Sequence, residues 1–182
     1  MISKSILSVL GIGLLALAQG CATASQVPEI NSEGLPAVGL KALSPRSIQI
    51  EVKDNRAVNQ KAGNSAQVEK SVRDAVSAAL VRGGVEPKEK APHLLTIALD
   101  DAVVEHTVDG EKTTDGECVK ATGVLKAKWG SKLTAIGTGC TYMKREDGFA
   151  RAGDVSEAFT LALKLVLETL DKHQMELLRG SH

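Results

Sequence analysis

The chain has 182 residues, and its 22 lysines and arginines are balanced by 22 aspartates and glutamates, so the formal net charge is zero. A chain without net charge has no long-range field to attract nucleic acid. One Trp, one Tyr and two Phe are also too few for the stacking platforms that bind single strands. Composition therefore excludes a nucleic-acid partner, and the length suits one domain with its own core.

The first predicted element is a secretory signal over residues 1–20. An apolar run from Ile6 to Ala18 follows a short start that is charged by Lys4. Such a run is shorter than the roughly 20 residues that a membrane-spanning helix requires. A basic start, a short apolar run and small residues before the cleavage point are typical of a signal peptide.

Cys21 follows the sequence Leu-Ala-Gln-Gly at positions 17–20, which resembles the bacterial lipobox. The resemblance implies cleavage before Cys21 and acyl chains such as palmitate on the new N-terminus. Because Ala22 rather than Asp comes next, the resemblance to sorted lipoproteins implies the periplasmic face of the outer membrane. Cleavage after Ala24, which would give an ordinary secreted protein, is the alternative. Residues 21–46 carry Pro28, Pro36 and Pro45 and are predicted to be an extended lipidated tether.

Residues 47–178 are predicted to form a single α+β domain. Ile48, Ile50 and Val52 alternate with polar residues and predict a half-buried strand. Asn64 begins a helix that Gly83 and Gly84 end. Further strands are predicted over 93–106, 119–129 and 132–143, with a polar loop over 107–117 and an apolar helix over 158–170. Residues 179–182 are a tail or the remnant of an expression tag.

This order, β-α-β-β-β-α, predicts a two-layer fold. We expect a mostly antiparallel four-stranded sheet with both helices on one face, and a parallel, right-handed first crossover. The last two strands are predicted to carry Gly and Ala on the helix face, so that the helices can lie close. The residues assigned to that face are Val119, Ala121, Gly123, Leu125, Leu133, Ala135, Gly137 and Gly139.

The register of these two strands follows from the turn between them. A three-residue loop over 128–130, with Gly130 in the left-handed conformation, makes Ala127 and Ser131 the closing pair. The same register places Cys118 directly opposite Cys140, at a non-hydrogen-bonded site where Cα atoms are close. An even pair of cysteines in an oxidising compartment favours a disulfide. A metal site and a reactive thiol are the alternatives.

Other chemistry-bearing residues have ordinary explanations. Asp100 and Asp101 are adjacent on a strand and point to opposite faces, so they do not form a carboxylate pair. His93 and His106 are predicted to be surface residues at strand ends. The acidic triplets at 109–111 and 115–117 indicate a solvated loop, with a weak calcium site as the alternative. No nucleophile motif or phosphate loop is present, so we predict no catalytic residues, no metal and no cofactor.

The helix over 158–170 is apolar on more than one face. Leu161 and Leu165 lie outside the stripe formed by Phe159, Ala162, Val166 and Leu170. That stripe predicts the core-facing side, and the second apolar face suggests a groove for a partner.

The fragment Ile50-Glu51-Val52-Lys53-Asp54-Asn55-Arg56 resembles the first strand and turn of the YajG-like outer-membrane lipoproteins, and the LPS-assembly lipoproteins share a similar arrangement. The resemblance spans residues 47–172 and implies no catalytic residues. We therefore predict a non-enzymatic envelope module that binds a protein or glycolipid partner. An envelope hydrolase is the alternative. A deep pocket with convergent polar groups would favour the enzyme, and a flat sheet face would favour the binding module.

Overall fold

The computed structural model describes residues 27–57, 64–103, 105–108, 111–114, 118–140 and 152–179, with side chains except at 105–108, 111–114 and 152–154. A 3-10 turn at Ser32–Gly34 precedes the regular elements. In chain order these are β1 (Ser47–Asp54), α1 (Ser65–Arg82), β2 (Glu86–Pro87), β3 (His93–Ala102), β4 (Glu105–Val108), β5 (Glu111–Thr114), β6 (Cys118–Lys126), β7 (Lys132–Cys140), α2 (Ala152–His173) and α3 (Glu176–Arg179).

The main sheet has five strands in the order β2-β1-β3-β6-β7. The fold class is α+β as predicted, but the four-stranded, mostly antiparallel sheet is wrong in detail. The short strand β2 adds an edge, and β1 pairs in parallel with both β2 and β3, while β3–β6 and β6–β7 are antiparallel. Pattern analysis missed β2 because two residues are too few to show a period of two.

The segment predicted as a loop over 107–117 also differs, because it contributes to two short strands. There β4 and β5 pair with each other as a separate antiparallel hairpin, and β3 ends at Ala102. The two short strands are polar apart from Val108. Hydrophobic alternation therefore gave no signal, although Thr and Val favour extended backbone.

Helix α1 begins and ends as its sequence predicts. The Asn64 side chain accepts a hydrogen bond from the backbone N–H of Ala66 at 2.9 Å, which satisfies one of the free donors of the first turn. At the other end the chain turns away at Gly84, whose φ of +79° suits glycine. The buried side of α1 faces β1 and β2, and it comprises Val68, Val72, Ala75, Val76, Ala79 and Leu80.

Helix α2 packs on β6 and β7 at unusually short range, on the face where the sequence predicts Gly and Ala. A Cβ atom on Gly139 would overlap the carbonyl oxygen of Ala158, and one on Gly137 would overlap that of Ala162. A Cβ atom on Gly123 would overlap the side chain of Val166. The predicted close approach of the helix is confirmed.

Residues 27–46, which we call the strap, differ from the extended tether that the sequence predicts. Their apolar side chains are buried in the core, with Leu35, Val38 and Leu40 at most 3% exposed. The strap runs along α1, where Ser71 Oγ donates to the Pro28 carbonyl at 3.0 Å and Arg82 Nη2 donates to the carbonyls of Ser32 and Leu35. Its prolines therefore belong to a segment that is packed against the core rather than to a free linker. The remaining part of the predicted tether, 21–26, lies outside the described residues.

The strap also reaches the end of α2. Asp171 Oδ1 accepts hydrogen bonds from the backbone N–H groups of Gly39 and Leu40, each at 3.0 Å. Gln174 Oε1 accepts one from the N–H of Ala42 at 2.8 Å. These bonds satisfy donors in an irregular segment that has no strand partner of its own, and such donors are costly when buried. The strap therefore joins α1 to α2 on the helix side of the sheet.

Candidate functional site

The cysteine pair lies where the sequence places it. Every pair between β6 and β7 follows the predicted register, and Ala127 and Ser131 close the turn through a 2.9 Å bond from the Ala127 N–H to the Ser131 carbonyl. Gly130 has a φ of +97°. Cys118 and Cys140 form a disulfide with their Cα atoms 4.1 Å apart. The predicted lipidation site, Cys21, lies outside the described residues.

The helices leave the opposite side of the sheet uncovered by any described helix, and we call this side the open face. Its centre is uncharged because small, branched and hydroxyl side chains alternate across three strands. Ala98 pairs with Thr122, which pairs with Ile136, and Thr96 pairs with Val124 in the neighbouring row. Ile136 is 60% exposed, while Ala98 and Val124 are half-buried.

Charged residues surround this uncharged centre. Glu51 and Lys53 lie on β1, Lys126 and Lys132 lie at the β6–β7 turn, and Lys120 Nζ is 3.9 Å from Asp100 Oδ2. An uncharged centre with a charged rim is the distribution found in protein interfaces. The described part of the open face therefore has the charge distribution of a binding surface.

The aspartates of β3 have structural contacts. Asp100 also accepts a hydrogen bond from Asn55 Nδ2 at 3.2 Å, and Asp101 Oδ2 accepts one from the N–H of Ala57 at 2.6 Å. Both carboxylates therefore hold the segment that follows β1.

A buried ion pair lies at the end of β1. Arg56 Nε contacts Asp54 Oδ1 at 2.8 Å, and Arg56 Nη2 contacts Asp54 Oδ2 at 3.1 Å. The Arg56 guanidinium also lies over the Phe159 ring, 4.6 Å from its centroid. The side chain of Arg56 is 2% exposed and that of Asp54 is 0% exposed. This pair fixes the end of β1 to α2 through the Phe159 ring.

His93 is fully buried, so the prediction of a surface position is wrong. Side chains alternate along β3, and His93 lies on the same side of the strand as Leu95, Ile97 and Leu99, which is the helix face. Nδ1 accepts a hydrogen bond from the Lys128 N–H at 3.1 Å, and the ring meets Trp129 edge-on. Burial lowers the pKa of His93, an effect that the nearby Ser44 carbonyl opposes and the charge of Lys128 reinforces. Among the described residues Nε2 has no hydrogen-bond partner.

Two shallow clefts lie on the helix side. One, of about 370 Å³, lies between the strap and α1 beside Glu29, Lys70 and Asp74. The other, of about 450 Å³, lies where α1 meets β1 and β2, beside Arg73, Lys88 and Glu89. Both open to solvent, and each is lined by charges of both signs. The described residues contain no group of three or more His, Cys, Asp or Glu placed to hold a metal ion.

Sequence reasoning missed the burial of His93 and the contact of Arg56 with Phe159 for different reasons. The sequence did contain the signal for His93: it alternates in step with Leu95, Ile97 and Leu99, which are the inward-facing residues of β3. The contact of Arg56 with Phe159 spans about a hundred residues of chain, and no local pattern encodes it. His106 lies on β4, and its side chain is outside the described set.

No protein-family model matches the chain, and no curated protein matches it. A solved structure named as a neuraminyllactose-binding hemagglutinin homolog from Helicobacter pylori is similar at a TM-score of 0.37 and 16% identity. That likeness covers 71% of this chain and 87% of the other. A TM-score this low supports no inference about function. None of the helices in the described part of the chain has the length and apolar composition needed to cross a bilayer.

Proposed function

We propose that this protein is a non-enzymatic envelope module, anchored by lipid on Cys21 to the periplasmic face of the outer membrane, that binds a protein or glycolipid partner through the open face. The open face carries the proposal. It is a sheet surface on β3, β6 and β7 with an uncharged centre and a charged rim. The lipobox resemblance at residues 17–21 supports the anchor.

A sheet face without a described cleft favours binding over catalysis for a geometric reason. Catalysis requires groups that converge on one reacting atom in a site that excludes water. The open face has divergent side chains, and the described clefts on the helix side are shallow. The buried acid Asp54 is paired with Arg56. An envelope hydrolase remains the alternative, and it would require a site elsewhere in the molecule.

The anchor is tested by changing Cys21→Ser in the full chain. We expect loss of fatty-acid labelling and release of the protein from the membrane fraction. Retention in the membrane with unchanged labelling would contradict the proposed anchor. A turnover on ester, glycoside or peptide substrates that one point mutation abolishes would contradict the non-enzymatic proposal.

The binding surface is tested in intact cells with a photoreactive amino acid at Thr122, in the centre of the open face. We expect a cross-linked product of defined mass that disappears when Thr96→Lys is introduced beside it. The matched control carries the same amino acid at Val81, which is 60% exposed on α1. The same product from both positions would show that the open face is not the binding surface.

A further inference from the structure

Strand β7 is an edge of the five-stranded sheet, and no described strand pairs with its outer side. In antiparallel pairing, hydrogen-bonded and non-hydrogen-bonded pairs alternate. Because Ala127 and Ser131 form a hydrogen-bonded pair, the residues Thr134, Ile136 and Thr138 direct their backbone N–H and C=O groups away from β6. The edge therefore presents a row of backbone donors and acceptors.

Most sheet edges are protected by charged residues, proline or a bulge. After Lys132, β7 reads Leu-Thr-Ala-Ile-Gly-Thr-Gly-Cys, with no charge and no proline. Its register with β6 is regular and contains no bulge. The Ile136 side chain is 60% exposed on the open-face side of this edge. By the usual rules of edge protection, β7 is an unprotected strand.

The opposite side of the same edge is apolar as well. Leu165 of α2 lies against Gly137, since a Cβ there would come within 2.9 Å of the Leu165 Cβ. Leu161, one turn earlier on the helix, and Leu165 are each 39% exposed. The second apolar face of α2 is therefore continuous with the unpaired edge. Together, Ile136, the edge backbone and these two leucines form a surface that we call the β7 edge.

We propose that the β7 edge pairs antiparallel with the β7 edge of a second copy of this chain, on a two-fold axis through Ile136. Ile136 is the central residue of β7, so this register pairs the whole strand with itself. It sets Thr134 opposite the partner's Thr138, a favourable cross-strand pair. All the residues with outward backbone groups then face each other, so the hydrogen-bonding pattern continues across the axis.

Charge on α2 fits the same symmetry. Lys164 Nζ is 3.9 Å from Glu168 Oε1, and both side chains are about half exposed, at 47% and 48%. In an antiparallel pair of α2 helices, the lysine of one copy approaches the glutamate of the other, and no like charges are forced together. A surface that complements itself in hydrogen bonds, apolar residues and charge is the requirement for a two-fold interface. The joined sheet would have ten strands and one continuous open face. Dimer formation through the β7 edge does not depend on the proposed function.

The oxidised mature chain is tested first by sedimentation at micromolar concentration, where we expect a dimer. Ile136→Lys places two like charges on the axis and is expected to give a monomer. Val81→Lys is the matched control, because Val81 is equally exposed at 60% but lies on α1. It should leave the dimer intact. Unfolding midpoints of both variants verify that they remain folded.

The register is tested by cysteine substitution. Residues opposite each other in a hydrogen-bonded pair have Cα atoms about 5.5 Å apart, within the range of a disulfide. Ile136→Cys should therefore form a covalent dimer under mild oxidation. Thr134→Cys should not, because its two copies would be offset by four residues, roughly 13 Å along the strand. A monomeric wild-type protein, or a dimer that persists in Ile136→Lys without cross-linking of Ile136→Cys, would overturn the proposal.

Discussion

Asp171, near the end of α2, accepts a hydrogen bond from the backbone N–H of Leu40, which lies 131 residues earlier in the chain. Leu40 has a φ of +38°, an uncommon conformation for a residue with a side chain, and it is 1% exposed. The carboxylate also accepts bonds from Gly39 N–H and Gln174 Nε2. One side chain therefore holds the strap in a conformation that the strap would not adopt alone.

We expect Asp171→Ala to destabilise the fold by about 1–3 kcal/mol, since it leaves part-buried donors without an acceptor. Asp171→Asn keeps one acceptor oxygen and should cost less. Urea unfolding measures both effects, and limited proteolysis should cut the strap of Asp171→Ala before the rest unfolds. Asp74→Ala, which removes only an exposed ion pair with Lys70, is the control. Equal stability of Asp171→Ala and wild type would show that the strap is not held in this way.

Gly139→Ala should be more damaging than its size suggests. The added Cβ would overlap the Ala158 carbonyl oxygen, which belongs to a helix backbone and cannot rotate away. Overpacking of this kind typically costs about 1–3 kcal/mol. Thermal unfolding compares it with Gly34→Ala, where the nearest atoms lie 3.4 Å from the added Cβ. If both variants unfold at the same temperature, α2 does not approach β7 as closely as described.

The buried pair at the end of β1 predicts a non-additive result. Asp54→Ala leaves the Arg56 guanidinium buried without its carboxylate, and breaking such a pair typically costs about 3–5 kcal/mol. Replacing both residues, as in Asp54→Leu with Arg56→Leu, removes the uncompensated charge and should cost less than the single change. Denaturant unfolding of the two single variants and the double variant measures the difference. Additive losses would indicate that the pair does not act as a unit.

His93 makes stability depend on pH. Because burial lowers its pKa from the usual 6.5, the unfolded chain binds this proton at a higher pH than the folded protein does. Stability is therefore full above about pH 6.5 and falls as the pH drops below it, by at most about 1.4 kcal/mol per pH unit for one proton. Urea unfolding between pH 7.5 and 5 measures the slope.

His93→Asn should reduce this slope while its side-chain oxygen still accepts the Lys128 N–H. A slope that is unchanged in His93→Asn would assign the pH dependence to other groups.

Loss of the disulfide should affect stability more than architecture. In the chain-entropy model a loop of this length contributes about 3 kcal/mol by restricting the unfolded chain. The bridge joins β6 and β7 on the open-face side, away from the helix-facing core, so Cys118→Ser with Cys140→Ser should keep the far-ultraviolet circular dichroism spectrum. Denaturant unfolding measures the loss, and mass spectrometry of a non-reduced digest of the wild type should show the two cysteines joined. Two free thiols in exported protein would contradict the pairing.

The parts of the fold that were predictable from sequence are those with local causes. The Gly130 turn fixes the β6–β7 register and therefore the cysteine pair, and Asn64 marks the start of α1. The strap was missed because its burial depends on Asp171 and Gln174, far away in sequence, while its prolines resemble those of a linker. The open face was implicit in the alternation of each strand. Which side the helices leave uncovered depends on tertiary packing, which periodicity does not specify.

The strap also has a consequence for the timing of folding. The first described segment to leave the ribosome, or to be exported, docks partly on α2, which is among the last. While α2 is absent, the strap has only its contacts with α1, and the glycine-lined faces of β6 and β7 lack the helix that covers them. Contacts between distant parts of a chain form slowly because loop closure must precede them. The helix-side core of this protein is therefore completed only after α2 emerges.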